Sequence, residues 1–226
     1  MELYEAMRHT PSCRYFTDEP VDDAIIHRML DHARFASSGG NRQGWRMVVV
    51  TDPDVKRSVA DIHRKVWDPY YVHALEGVVG FQGDGSGVKM EHGTDRAKRR
   101  LDRTNDFAQV LHEVPVLVLP YVEMATLAIT DQNLERTSIV GGGSLYTFVQ
   151  NLLLAATHEG LGSSLTTLVA SEQPAMDALL GVPDGYALGA LLAFGWPVRD
   201  KQYTKLSRRP VEDIAFRDGW GIPFQV

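Results

Sequence analysis

The chain has one cysteine, Cys13, in 226 residues. No intramolecular disulfide can form, and such a chain is expected in a reducing compartment, here read as the cytoplasm. No charged, apolar, small-residue leader opens the sequence. An uninterrupted apolar run of the ~20 residues that a bilayer span needs is missing too. The most apolar stretch, "LYTFVQNLLLAATHEGLG", is broken by Gln150, Asn151, His158 and Glu159, so a buried helix is expected there and no membrane partner. A basic excess is also lacking: Lys and Arg number 23 against 29 Asp and Glu, a net charge of −6. Bulk charge therefore recruits no nucleic acid.

Several catalytic signatures are absent. The histidines form no H-E-x-x-H and no Cys pairs accompany them, so no metal site is expected. His27 and His32 are five apart and share no helix face; most histidines read as surface residues. Ser163 and Ser164 follow Gly162, but the second glycine of a nucleophile elbow is missing, which argues against a hydrolase. The glycine-rich stretches "SSGGNRQGW" and "IVGGGSLY" do not end in G-K-[ST], nor do they match G-x-G-x-x-G between a strand and a helix. Cys13, between Ser12 and Arg14, reads as a small packing residue.

With 44% hydrophobic and 23% charged residues the chain is expected to fold around one core, without linker or repeat. Helical spacing of Ile25, Ile26, Met29, Leu30 and Ala33 predicts a helix over 22–36 capped by Asp22. "RMVVV" predicts a buried strand. The next helix is capped by Asp52 with Pro53 at its first position, and Val55, Val59, Ile62 and Val66 form its stripe. Glycines recur from Gly77 to Gly93 with no sustained period, so a mobile lid is expected over about 67–105, including a solvated helix in "TDRAKRRLDRTNDFAQVL". "VPVLVLPYVE" reads as a second buried strand. A central helix starts near Ser144 and stops at Gly160, apolar nearly all round and suited to a subunit interface. Then follow a strand "LGSSLTTLV", a short helix "QPAMDALLGV", a strand "YALGALLAFGWP", and a basic loop leading into a helix in "KLSRRPVEDIAF". Mixed helices and strands in one unit make an α/β or α+β domain.

Guanidinium groups bind phosphate bidentately and stay charged. Two basic clusters stand out in this acidic chain: Arg8, Ser12 and Arg14 in "MRHTPSCRYF", and Lys205, Arg208 and Arg209 in "KLSRRP". Taken alone, both clusters read more readily as exposed charge.

"RYFTDEPV", "ASSGGNRQGWRMVVV", "SLYTFVQNLLLAATHEGLGSSLTTL", "FGWP" and "RRPVEDI" occur in this order along nearly the whole chain. Together they resemble the FMN-dependent nitroreductase family. The resemblance implies an α+β three-layer α/β/α sandwich over 1–226, with a mostly antiparallel sheet, in an intertwined homodimer with FMN sites at the subunit interface. It implies that FMN takes a hydride from NADH or NADPH and passes it from N5 to a small electron acceptor, a nitroaromatic, quinone or activated enone, in a ping-pong cycle. The chemistry is the flavin's, with no nucleophilic side chain.

In the family's Arg-Arg-Ser-x-Arg run, Ser12 and Arg14 carry over, while Thr10 and Pro11 replace the leading arginines; Arg8 is the candidate substitute. Arg208 or Arg209 corresponds to the family's C-terminal phosphate contact. Ser38, Gly39 and Asn41 fall on the loop that bonds the flavin or its ribityl chain, with Ser37 and Gly44 in place of two prolines. Thr166, Thr167 and Leu168 fall beside the N5 edge, and Arg14 is placed at the N1–C2 edge, where negative charge gathers on reduction. Trp67, Tyr70 and Tyr71 are candidates to stack on a flat acceptor, or equally to pack internally. Dehalogenation, flavin fragmentation and a flavin-storage module without turnover remain alternatives.

Overall fold

A computed structural model of the chain describes residues 1–79, 88–89, 95–199 and 206–224. Its centre is an antiparallel sheet in the order β1 (Trp45–Val50), β2 (Val116–Glu123), β3 (Leu191–Gly195), β4 (Gly162–Thr166). A short β5 (Tyr186–Leu188) extends the partner edge of β2.

Side chains of β2 alternate between two apolar clusters. Val116, Val118 and Val122 join one with α1 (Asp23–Ala33) and α2 (Gly143–His158); Leu117, Leu119 and Tyr121 join the other with α3 (Pro53–Leu75) and α4 (Gln173–Leu180). Helices thus cover both faces, and a strand buried twice over reads as a continuous apolar run. The result is a three-layer α+β architecture. A further helix, α5 (Asp95–Gln109), packs beside α3.

The capping signals act where the sequence places them. Asp22 accepts from the Ala24 N–H at 2.7 Å, and Asp52 accepts from the Asp54 and Val55 N–H groups at 3.0 Å ahead of Pro53. Each satisfies a donor that the first helical turn leaves unpaired. Arg28 on α1 grips Glu159, just past α2, through two bonds of 3.2 and 2.8 Å.

Three expectations need correction. The strand expected through "YALGALLAFGWP" is broken at Gly189, where the partner of β2 changes from β5 to β3. Pro120 of β2 lies opposite that break; it lacks an N–H, and its carbonyl accepts from Gly189 N at 2.9 Å. A Cβ at Gly189 would lie 2.2 Å from Leu145 Cδ2, so a larger residue at this crossing requires the Leu145 side chain to shift. The C-terminal helix expected after "KLSRRP" is a single 3₁₀ turn, Val211–Asp213, with no buried residue to anchor it. The stripe of α3 is rotated: Val59 and Ile62 are buried as expected, but Val55 and Val66 are only half-buried, and His63 and Trp67 take the inward positions.

α3 also runs on through Pro69 to Leu75, so Trp67, Tyr70 and Tyr71 are helical. Most of the glycine-dense loop expected over 77–93 lies outside the described residues, as does Lys205. The described helices include none long and apolar enough to cross a membrane.

Candidate functional site

The segment after the N-terminal turn is laid against the sheet by backbone bonds. Ser12 forms a parallel bridge with Ser163 of β4, Cys13 N donates to Ser163 O at 2.7 Å, and Thr17 N donates to Trp196 O at 2.9 Å. Cys13 is buried against Gly162, where a Cβ would lie 2.6 Å from its sulfur; it is a packing residue, as its context suggested.

This anchoring turns Arg14 into a cavity of about 100 Å³. Its walls are Trp67 and His63 of α3, Thr104 and Phe107 of α5, and Ser164 and Thr166 of β4. Arg14 Nε is buried with no hydrogen-bond partner. Burial, then the neighbouring Arg100 and, further down, Arg103 push its pKa below the ordinary guanidinium value. Among the described residues no carboxylate forms an ion pair with Arg14. A half-buried guanidinium lining a cavity, with two further arginines close enough to repel it, suits an anion or an electron-rich ring edge.

Trp67 in the wall of this cavity belongs to an aromatic cluster. Trp67 is buried, with its indole N–H donating to Asn105 Oδ1 at 2.9 Å, and lies between His63 (centroids 6.1 Å, 12° between planes) and Tyr71 (6.3 Å, 23°). Tyr71 donates to Asp102 Oδ1 at 3.1 Å. Tyr70 faces a second cavity of about 310 Å³ with Pro69, His73 and Ser171. Of the three candidate acceptor-stacking residues, only Trp67 lines the Arg14 cavity.

The loop 37–44 is built elsewhere, on the N-terminus of α2. Gly39 N donates to Ser144 Oγ at 3.1 Å, Thr147 Oγ1 donates to Ser37 O at 3.0 Å, and Gln43 N donates to Ser38 Oγ at 3.2 Å. Gly40, Asn41 and Gln43 have φ of 60°, 53° and 50°. Asn tolerates that region, but Gln43 is strained, and the cost of such strain is borne by the surrounding bonds. Gly39 and Asn41 stay exposed, and none of Ser38, Gly39 and Asn41 lines the Arg14 cavity.

At Gly44 a Cβ would lie 1.9 Å from Thr126 Oγ1 and 2.8 Å from its Cβ, and that hydroxyl is fixed by a 2.7 Å bond to Glu123 O. Gly44→Ala is therefore expected to destabilise the fold by about 2 kcal/mol, read as a lower denaturation midpoint. Adding Thr126→Gly should recover part of the loss; no change in midpoint would show that this contact is not tight.

The remaining candidates are dispersed. Arg8 is exposed in the last turn of the helix Leu3–Arg8. Arg208 and Arg209 are exposed, and Arg208 donates to its neighbour Ser207 O at 2.9 Å. Thr166 ends β4 and accepts from Leu168 N at 3.3 Å; Thr167 is exposed and Leu168 half-buried. Ser163 and Ser164 lie inside β4, opposite Phe194 and Ala193, with no elbow. Sequence reasoning missed His63, although its place one turn after Val59 and one before Trp67 could have marked it as inward-facing. Among the described residues no group of three or more His, Cys, Asp or Glu is placed to hold a metal ion.

Known proteins match this architecture throughout. A model of the nitroreductase family covers residues 7–196. Iodotyrosine deiodinase 1 of Rattus norvegicus is 27% identical over 213 residues, 94% of this chain and 68% of that protein. A BluB-like flavoprotein from Clostridium difficile 630 superposes with a TM-score of 0.68 at 25% identity, over 96% of this chain and 99% of the other. The FMN- and NADPH-dependent nitroreductase NfnB from Sphigopyxis sp. strain HMH gives 0.66 at 22% identity, over 97% and 100%, a likeness of fold.

Proposed function

The chain belongs to the nitroreductase family, and on that premise we propose that it is an FMN-dependent oxidoreductase, a homodimer that draws electrons from NADH or NADPH and delivers them to a small electron-poor acceptor. The observation that carries this reading is Arg14: a half-buried guanidinium whose Nε has no hydrogen-bond partner, in a cavity shared with Thr166, with Arg100 and Arg103 nearby. These residues fit a group that is anionic at one end and polar along one ring edge. When bound, FMN supplies the hydride transfer from N5.

The protein's part is binding, orientation and electrostatics. Arg14 holds the N1–C2 edge and offsets negative charge there. Thr166, Thr167 and Leu168 lie along the N5 side, and Ser12 with Arg8, Arg208 or Arg209 supplies the phosphate contacts. Ser38, Gly39 and Asn41 lie outside the Arg14 cavity, so in the homodimer they serve the partner's flavin. Exposed apolar side chains support that dimer, among them Ile139 at 76% and Trp220 at 92% exposure. Trp67 forms the aromatic wall against which an acceptor such as a nitroaromatic, quinone or activated enone is held. The lone buried thiol of Cys13 accords with a reducing, cytoplasmic setting.

Under nitrogen, NADH or NADPH is expected to bleach the yellow holoprotein, and a nitroarene or quinone to restore the colour. A colourless protein that FMN cannot reconstitute would falsify the cofactor reading. The deiodinase relatives favour a second reaction, reductive cleavage of a carbon–halogen bond. Halide release from a halogenated phenol, with no recolouring by nitroarenes, would replace the first reading with this one.

A further inference from the structure

The Arg14 cavity contains one more polar group, on its α3 wall. His63 is 4% exposed, and neither ring nitrogen has a hydrogen-bond partner. Native interiors leave few buried polar groups unpaired, and an exception inside a cavity points to a missing guest. The cavity's other polar walls are hydroxyls: Thr104 Oγ1 donates to Arg100 O at 2.8 Å, Thr166 Oγ1 accepts from Leu168 N, and Ser164 is buried in β4. The imidazole plane is fixed by stacking on Trp67, itself pinned to Asn105. The cavity, about 100 Å³, has room for part of a guest but not for a whole tricyclic ring.

We propose that His63 recognises the imide edge of the flavin, its unprotonated ring nitrogen accepting the N3–H while Arg14 donates to the adjoining C2 carbonyl. This rests on the FMN reading given above. Around the pyrimidine ring the order is N1, C2 carbonyl, N3–H, C4 carbonyl, so a site with a guanidinium at the N1–C2 edge meets the N3–H next. That group is a donor and needs an acceptor, which no arginine can provide. His63 can, because burial pushes its imidazole down to about 4, leaving the ring neutral with one lone pair free near pH 7.

The test compares FMN with N3-methyl-FMN, which lacks this one donor, binding to apoprotein by quenching of flavin fluorescence. Wild-type protein is expected to bind the methylated form about 10-fold more weakly; His63→Leu should bind FMN about 3- to 10-fold more weakly than wild type and lose the preference. His63→Gln, which keeps an acceptor, should retain part of it. If His63→Leu discriminates as wild type does, the role of His63 is overturned and the cofactor reading stands; if wild type binds neither flavin, both fall. Independently of any variant, the unprotonated ¹⁵N resonance of the His63 ring should shift when FMN is added, and a resonance that does not move overturns the contact.

Discussion

Arg14→Gln is expected to weaken FMN binding by the apoprotein about 10- to 100-fold, with the melting temperature of the apoprotein unchanged or raised. A hydrogen bond to a charged group is worth about 1.5–3 kcal/mol, which converts to this range of affinity. The two halves of the result have one cause. In the chain alone Arg14 is half-buried, its Nε is unpartnered, and Arg100 and Arg103 repel it. Removing the charge therefore removes an unfavourable burial, while the bound state loses the donor that the cavity was shaped around. A structural cation would behave oppositely: its loss would lower the melting temperature and leave flavin affinity intact. Arg14→Lys separates charge from geometry, because an ammonium keeps the positive potential but not the planar fork. Its affinity should fall between wild type and Arg14→Gln. FMN affinity equal to wild type in Arg14→Gln would remove Arg14 from the site.

Local rules wrote much of this fold into the sequence. Asp22 and Asp52 are short acceptors ahead of amphipathic runs, so the starts of α1 and α3 could be read directly, and the apolar run 116–122 could only be a strand covered on both faces. The end of β5 could not be read. That break depends on Pro120 and Leu145, remote in sequence, and on a Gly189 that looks like any small residue in a strand.

The site divides along the same line. Ser12 and Arg14 could be singled out as candidates because a contiguous motif places them together, and Arg14 lines one cavity with Thr166. His63 was not legible as a site residue. A histidine among Arg64, Lys65 and Asp61 reads as surface, and only the rotation of the α3 stripe, set by packing against α5 and the sheet, turns it inward. Ser37 and Gly44 show the converse. The sequence shows only that they replace two prolines of a motif; at Gly44 the structure adds that Thr126 occupies the space a side chain would take.

His63 is also expected to set the pH at which the apoprotein weakens. Its imidazole is pushed from 6.5 to about 4, mainly by burial, with Asp68 acting weakly in the other direction; across the cavity it faces the cation of Arg14. The unfolded chain therefore takes up this proton more readily than the folded one. Stability is highest where the ring is neutral in both states, falls as pH drops below about 6.5, and levels off once pH passes below about 4, a loss of about 3 kcal/mol.

Carboxylates act in a lower window. Asp131 is held well below the usual range by Ser138 and the Ile139 N–H, and Asp31 and Glu159 are lowered by Arg34 and Arg28. Their contributions are retained at pH 5 and disappear only as the pH approaches and passes the ordinary carboxylate range near 4. Urea titrations of the apoprotein at pH 7 and pH 5 should thus differ mainly through His63. His63→Leu should flatten that interval while keeping the steeper loss in stronger acid. A variant whose stability falls as wild type does between pH 7 and 5 would show that His63 does not control it. The same proton should oppose the cofactor, because an imidazolium has no lone pair for an N–H donor. FMN affinity should then decline over the lower part of the window in wild type and much less in His63→Leu, linking the acid sensitivity of the empty fold to the recognition proposed for the filled one.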